Sequence, residues 1–207
     1  MKLIPSDFAF TPAVKATQER MGSRRSYARM ERGDGWRTTV TPDLAGFLAD
    51  LDMFYLGTAT AGGQPYIQYR GGPPGFLQVI DDRILGFADF GGNRQYVTLG
   101  NLSENPRAYL FLMDYAHRRR VKVWGTARVV EGDAALMERL GDPTYPGRVE
   151  RAVLFTVAAW DANCQQHIHP RYSERQIARR VAGLEARVAE LEAEVERLRA
   201  APHDAVR

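Results

Sequence analysis

Two glycine-rich segments carry the residues best suited to hold an anion: 68–73 (Gln-Tyr-Arg-Gly-Gly-Pro) and 89–95 (Asp-Phe-Gly-Gly-Asn-Arg-Gln). Glycines let the backbone approach a ligand closely. Arg94 stands just before a predicted helix, where exposed N–H groups and a guanidinium together form an anion site, with Asn93 and Gln95 as neutral donors. Because arginine binds phosphate with two parallel hydrogen bonds, the pattern favours a phosphate. The alternative is an ordinary glycine-led turn before a helix.

Two further groups of residues could bind a ligand or take part in a reaction. If the strand after Arg118-Arg119-Arg120 lies beside the Arg94 loop, Arg120 can reach the same anion; otherwise these arginines form a solvated loop. The segment 163–169 contains Cys164, His167 and His169, which are zinc-ligand types. One such cluster supplies at most three ligands, so no metal site is predicted. A Cys-His nucleophile would lack an orienting third group.

The composition is that of an ordinary globular protein, with 44% hydrophobic and 26% charged residues among 207. This length allows one domain, or one domain with an appendage. A net charge of +3 is too small to indicate nucleic-acid binding. No apolar run approaches the ~20 residues of a membrane span, and the start of the chain lacks the apolar core of a signal peptide. With a single cysteine, these features predict a cytoplasmic protein.

The elements that would position these residues are mostly strands. Thr41-Pro42-Asp43 predicts a helix over about 42–51, since Thr caps it and Pro occupies its first position. Further short helices are predicted at 96–102 and 134–140. Alternating apolar runs with hairpin spacing predict strands at about 54–60, 65–70, 76–80, 84–90, 108–113, 121–130 and 153–160. This pattern predicts a mainly β (α+β) domain over 41–170, a closed antiparallel barrel with short flanking helices. Residues 1–40 are predicted to be an extended, wrapping segment and residues 201–207 a disordered tail.

The segment 171–200 has heptad spacing. Its apolar residues recur at intervals of four and three, with Val at each a position and Leu at each following d position, and this pattern favours a parallel two-stranded coiled coil. The flanking charges agree with a parallel homodimer. The alternative is one amphipathic helix packed on its own barrel. Arginines precede the heptads, but Pro170 interrupts them, so a DNA-binding zipper is not predicted.

Four motifs resemble, in order, those of the pyridoxamine 5'-phosphate oxidase-like superfamily of FMN-binding split β-barrels. They are Gly-Gln-Pro-Tyr at 63–66, Phe-Ala-Asp leading into Asn-Arg-Gln at 87–95, Asn-Pro-Arg-Ala at 105–108, and Arg-Arg-Val-Lys-Val-Trp-Gly at 119–125. The resemblance covers residues 42–131. It implies an antiparallel split β-barrel that binds FMN and forms a homodimer with two flavins at the interface.

The resemblance also implies roles for individual residues. Those along the flavin ring and ribityl chain would be Gln68, Tyr69, Arg70, Gly71, Gly72 and Pro73. Ala88 and Asp89 would contact the flavin, while Arg94 and Gln95 would hold its phosphate beside Asn93. Arg120 would lie near the ring or phosphate, and Trp160 could stack on the ring. Cys164, Gln165 and His167 would line the partner subunit's site.

The chain departs from true pyridoxamine phosphate oxidases at several positions. Pro73 and Gln95 stand where those enzymes have lysines, and 142–148 replaces their substrate-phosphate segment. Vitamin B6 oxidation is therefore not expected. The resemblance implies an oxidoreductase that moves hydride or electrons from a reduced donor to a small acceptor, with no acid or base nominated. The alternatives are a non-catalytic flavin-binding or redox-sensing dimer, and a split barrel that holds a deazaflavin or haem.

Overall fold

The computed structural model describes residues 4–33, 35–163 and 165–200. Within them, the chain divides into two compact units. The first comprises the described residues up to 114 together with 118–168. The second comprises 115–117 and the chain from 169 onward.

The first unit contains one antiparallel sheet of seven strands in the order β2-β1-β5-β6-β7-β4-β3. The strands are β1 Met53–Ala59, β2 Pro65–Gly71, β3 Gln78–Val79, β4 Ile84–Phe90, β5 Arg107–Asp114, β6 Arg119–Val130 and β7 Val149–Asn163. No ladder joins β2 to β3 among the described residues, so the prediction of a closed barrel is wrong, and the sheet is the split barrel that the resemblance implies. The predicted strand at 76–80 shortens to β3, because the chain turns before it: the Phe76 N–H donates to the Pro73 carbonyl at 3.0 Å, and only Gln78 and Val79 pair with β4.

Alternating burial fixes which face of each strand meets the core. On β1, Phe54 and Leu56 are fully buried, while Tyr55 between them lies on the outer face. The Phe54 ring contacts Phe76 and Phe87, with centroid distances of 5.3 and 5.1 Å. Since successive strand residues point to opposite faces, this register also decides which side chains of β2 and β4 face away from the core.

The described residues form six α-helices: α1 Pro12–Arg20, α2 Arg24–Arg32, α3 Pro42–Ala49, α4 Val97–Glu104, α5 Ala134–Leu140 and α6 Glu174–Ala200. The predicted start of α3 is confirmed, because the Thr41 hydroxyl accepts a hydrogen bond from the Leu44 N–H at 3.3 Å. In the second unit, α6 begins with a reciprocal cap in which the side chains of Ser173 and Gln176 each accept the other's backbone N–H. None of the described helices is long and apolar enough to span a membrane.

The N-terminal segment is helical rather than extended. α1 begins with Thr11-Pro12, the same start signal as α3, and the Thr11 hydroxyl accepts from the Val14 N–H. After α2, the Trp36 ring packs on Trp124 of β6 with centroids 5.1 Å apart. The Phe10 ring also contacts Trp36 edge to face, with centroids 5.3 Å apart. The segment therefore covers part of the outer face of the sheet through aromatic packing.

Candidate functional site

A cavity of about 230 Å3 opens where β2, β4, the start of α4 and the start of β7 come together. β2 supplies Tyr66, Gln68 and Arg70, which share one face because they are two residues apart. The other lining residues are Asp89, Phe90, Gly92, Asn93, Arg94, Gln95, Tyr96, Val97, Thr98, Leu99, Glu150 and Arg151. We call this cavity the arginine cleft. It brings Gln68 and Arg70 of the first glycine-rich segment together with most of the second segment.

Asp89 connects two of the arginines in the cleft. Its carboxylate is buried, one oxygen accepts from Arg70, and the other accepts from Arg151 Nη1 at 3.1 Å. The β4–β7 register places Asp89 directly opposite Arg151. Because a buried carboxylate is stable only when it is paired, this arrangement fixes the position of both guanidinium groups. Asp89 is therefore a positioning residue in the structure.

Arg70 retains hydrogen-bonding capacity. Its Nε is buried and has no hydrogen-bond partner within the described chain, although its Nη1 is bound to Asp89. Buried donors are normally satisfied, so this N–H requires an acceptor. Arg94 also lines the cleft, and the structure gives its exposed guanidinium no ion pair among the described residues. Both observations fit an anionic ligand.

The loop before α4 has the backbone geometry of an anion site. Arg94 and Tyr96 both adopt the left-handed region, with φ of 58° and 55°, while Gln95 between them does not. Such alternation aligns N–H groups into an anion-binding concavity, and the N-terminus of α4 adds its positive end. A left-handed non-glycine residue costs about 1–2 kcal/mol, so the loop stores strain at this site.

Neutral donors complete the cleft. The Thr98 hydroxyl is buried and hydrogen-bonds to Gln68 Oε1 at 2.5 Å. This contact fixes the Gln68 amide and leaves its NH2 group as a donor. Asn101, one turn further along α4, donates to the Thr58 hydroxyl at 3.0 Å. The start of α4 is thereby attached to β1 and β2, and these hydrogen bonds fix the position of the helix relative to the strands that line the cleft.

A second polar cluster lies on the outer face of the sheet. Lys122 Nζ is 3.1 Å from the Asp161 carboxylate, whose pKa is raised by burial despite this lysine. Burial raises the pKa of Tyr109 to about 12. The Arg120 guanidinium lies 5.8 Å from the Phe111 ring centroid. Since β7 lies between β6 and β4, the Arg120 strand does not neighbour the strand that leads into the Arg94 loop, and Arg120 does not line the arginine cleft in the described chain. Its role toward a cofactor stays a prediction.

Several other predicted site residues do not line the arginine cleft in the described chain. Tyr69 lies on the opposite face of β2 and is 60% exposed. β2 ends at Gly71, and Gly72 and Pro73 follow it. A Cβ on Gly72 would lie 2.6 Å from the Phe76 ring, so this glycine serves packing. Ala88 is buried in a small apolar cluster.

The predicted residues near the end of β7 are also outside the cleft. Trp160 is in the core, and its Nε1 donates to the Thr39 carbonyl at 2.7 Å. Gln165 and His167 are exposed, and His167 has a φ of 61°. Cys164 lies outside the described residues. The roles of these residues toward a cofactor therefore stay predictions. No group of three or more His, Cys, Asp or Glu side chains within the described chain is arranged to hold a metal ion.

Sequence reasoning missed Arg151, Glu150, Tyr66, Tyr96 and Thr98. Arg151 is the most consequential, because it pairs with Asp89 and lies with its Cζ 5.5 Å from the Tyr96 ring centroid. No local motif marks it, since it comes from pairing between strands 62 residues apart. The polar pair Glu150-Arg151 at the start of an apolar strand is the one local signal.

Comparison with known proteins gives the chain its family. The model of the family described as pyridoxamine 5'-phosphate oxidase matches residues 40–192. No curated protein sequence matches the chain significantly.

Solved structures with low identity are similar over most of their own length. HupZ from Group A Streptococcus has 16% identity and a TM-score of 0.48, with 60% of this chain and 98% of that one covered. An FMN-binding protein from Syntrophomonas wolfei has 12% identity and a TM-score of 0.47, with coverage of 70% and 97%. HutZ, the heme storage protein from Vibrio cholerae, has 14% identity and a TM-score of 0.40, with coverage of 59% and 94%. By the family match over most of its length, the chain belongs to the pyridoxamine 5'-phosphate oxidase family.

Proposed function

We propose that the chain binds FMN with the phosphate in the arginine cleft and acts as an oxidoreductase. The observation that carries this proposal is the convergence of Arg70, Arg94 and Arg151 beside the N-terminus of α4. Three guanidinium groups face two carboxylates, those of Asp89 and Glu150, so the cleft keeps an excess of positive charge. A phosphate monoester matches both this charge and the unsatisfied Arg70 Nε.

Arg151 compensates for the missing lysine, the main feature of the sequence that speaks against a phosphate site. Gln95 stands where the related oxidases carry a lysine, which removes one cation from the loop. In this structure Arg151 adds a cation from β7 to the same cleft, held there by Asp89. We assign Arg94 and Arg151 to the phosphate, with Arg70, Gln68 and Gln95 as further donors. FMN bound there would supply a ring able to accept a hydride or single electrons.

The proposal includes a homodimer in which the partner completes each site. β2 is an edge strand of the sheet, and its outer face presents Ile67 at 70% exposure and Tyr69 at 60%. Such apolar exposure on a strand edge favours an interface. Cys164, Gln165 and His167 are proposed to reach the partner's flavin.

Haem and deazaflavin remain the competing cofactors, and one observation favours FMN over haem. The described side chains that line the cleft include no His, Cys or Met, the commonest axial ligands of haem iron, and Tyr66 and Tyr96 are its only side chains of a type that ligates haem iron. The similar solved structures include both an FMN-binding protein and a heme storage protein, so the likeness does not choose between these cofactors. The choice of FMN therefore rests on the residues of the cleft.

The visible spectrum of the purified protein tests cofactor identity. The apoprotein is then titrated separately with FMN, a deazaflavin and haemin. We expect flavin absorption bands and saturable FMN binding with one site per chain. A protein that takes up only haemin or only the deazaflavin would overturn the FMN assignment.

Turnover is tested on the FMN-loaded dimer. Reduced nicotinamides are added anaerobically, followed by small oxidants such as quinones. We expect the bound flavin to be bleached and then reoxidised faster with at least one acceptor than with air alone. A flavin that no donor reduces would instead support the non-catalytic, redox-sensing alternative.

A further inference from the structure

The α6 helix carries an apolar seam that the described chain leaves exposed. The seam residues follow alternating intervals of four and three, and each is 44–69% exposed. They are Ile177, Val181, Leu184, Val188, Leu191, Val195 and Leu198. Because apolar surface in water is unfavourable, a continuous stripe of seven such side chains requires a covering surface.

The geometry of the seam fits another helix. α6 has 27 residues and is therefore about 40 Å long. An apolar spacing that averages 3.5 residues produces the narrow stripe of a left-handed coiled coil. Val at 181, 188 and 195 occupies the a positions, and Leu at 184, 191 and 198 the d positions. β-branched residues at a with Leu at d favour two parallel strands.

Charge selects a second copy of this chain as the partner. The g positions are Arg180, Arg187 and Glu194. In a parallel dimer in register they face the partner's Glu185, Glu192 and Arg199, and all three pairs have opposite sign. In an antiparallel arrangement centred on the seam, Arg187 faces the partner's Glu194 but Glu185 faces the partner's Glu192, so attractive and repulsive pairs cancel. Self-complementarity of this kind is expected of a two-fold interface between identical chains.

Other features of α6 agree with this partner. The Arg187 Nη1 is 2.9 Å from Glu190 of its own helix, and both side chains are more than 60% exposed. The Arg187 guanidinium is therefore accessible for a further, weak ion pair with a second chain. Gly183 lies at a c position, away from the seam, and a Cβ added there would have no atom of the described chain within 4 Å. We infer that residues 177–198 bind the same segment of a second copy as a parallel coiled coil in register.

Disulfide cross-linking of the full-length protein tests the arrangement. In a Cys164→Ser background, Val181→Cys and Leu198→Cys are made separately, and one carries a tag that changes its size. The two positions are about 26 Å apart along a helix, so a disulfide reports the helix direction. The variants are mixed, exchanged and oxidised. We expect bonds between like positions and none between 181 and 198. Ala186→Cys, on the outer face of the helix, is the control that should not cross-link.

Charge reversal tests the choice of partner. Arg187→Glu places a glutamate against the partner's Glu192 on both sides of the dimer. It should lower the yield of the 181–181 bond about fivefold under exchange, since exposed pairs contribute less than ~1 kcal/mol each. Adding Glu192→Arg should restore the yield. Bonds only between 181 and 198, absence of any cross-link, or an unchanged yield with Arg187→Glu would each overturn the inference. None of these readouts depends on flavin binding.

Discussion

Asp89 organises the arginine cleft at the level of single residues. Its two oxygens bind Arg70 and Arg151, whose side chains are only 12% and 11% exposed. A buried carboxylate between two guanidinium groups keeps both in fixed positions before any ligand arrives. Preorganised donors lose less entropy when they bind a phosphate.

Asp89→Asn should lower the free energy of unfolding by about 3 kcal/mol, because it leaves the buried Arg70 guanidinium without a countercharge and removes one of the carboxylates paired with Arg151. Urea denaturation measures this change. Asp82→Asn, in an exposed turn, is the matched control and should change stability by less than ~0.5 kcal/mol. Equal effects of the two substitutions would contradict the role assigned to Asp89.

Tyr109 predicts a pH dependence at the alkaline end. Burial raises its pKa from 10.0 to about 12 in the folded chain, so the unfolded chain loses this proton first. The free energy of unfolding should therefore fall as the pH rises from about 10 towards 12. Urea denaturation at several pH values across this window, for the wild type and Tyr109→Phe, measures the effect. The fall should be smaller in the variant, and an identical fall in both proteins would contradict the assignment.

Local motifs predicted only part of the cleft residues. Gln68, Arg70, Asp89, Arg94 and Gln95 were found because they flank glycines and a helix start. Arg151 could not be found in this way, because only strand pairing brings it to Asp89. Which neighbour a strand takes is a property of the whole sheet, and for the same reason the sequence could not decide whether the strand of Arg120 lies beside the Arg94 loop.

At the level of elements, the alternation of apolar residues was sufficient to predict the strands, because alternating burial is a local pattern. The N-terminal helices were missed although Thr11-Pro12 is the same signal as Thr41-Pro42. α3 presents three buried apolar residues, whereas α1 buries only Gln18 and α2 buries none. A helix that packs through a few scattered contacts has a weak apolar period. The arginine-rich composition therefore led to the prediction of an extended segment.

The bulge between β6 and β7 gives a prediction at this scale. The register shifts at Trp124/Gly125, where a Cβ on Gly125 would overlap the Thr156 carbonyl oxygen and approach the Phe155 ring. Gly125→Ala should therefore destabilise the protein by about 2 kcal/mol, through overpacking in a tight sheet.

Gly46→Ala is the matched control for that substitution. Gly46 lies inside α3, and a Cβ added to it would have no atom within 4 Å in the part of the chain that the structure describes. Alanine there should stabilise the protein by about 0.5–1 kcal/mol, because it restricts the unfolded chain. Thermal melts by circular dichroism measure both variants. A neutral Gly125→Ala would show that the bulge tolerates a side chain.

At the scale of the whole molecule, the proposed dimer links the flavin site to the exposed face of β2. Ile67→Glu should weaken dimerisation and FMN binding together, because it places a charge in the proposed interface. Val79→Glu, on edge strand β3, is the control and should change neither. Sedimentation and FMN titration of the same samples measure the two effects. A monomer with unchanged FMN affinity would contradict a site completed by the partner.

The most direct test of the central claim compares FMN with riboflavin, which lacks the phosphate. Both are titrated into the wild-type apoprotein, Arg94→Ala and Arg128→Ala, the last an exposed arginine of β6 outside the cleft. A charge-assisted hydrogen bond contributes about 1.5–3 kcal/mol, so Arg94→Ala should weaken FMN binding at least about tenfold and leave riboflavin binding unchanged. Arg128→Ala should change neither. Equal affinity of the wild type for FMN and riboflavin, or FMN binding unaffected by Arg94→Ala, would contradict a phosphate site in the arginine cleft.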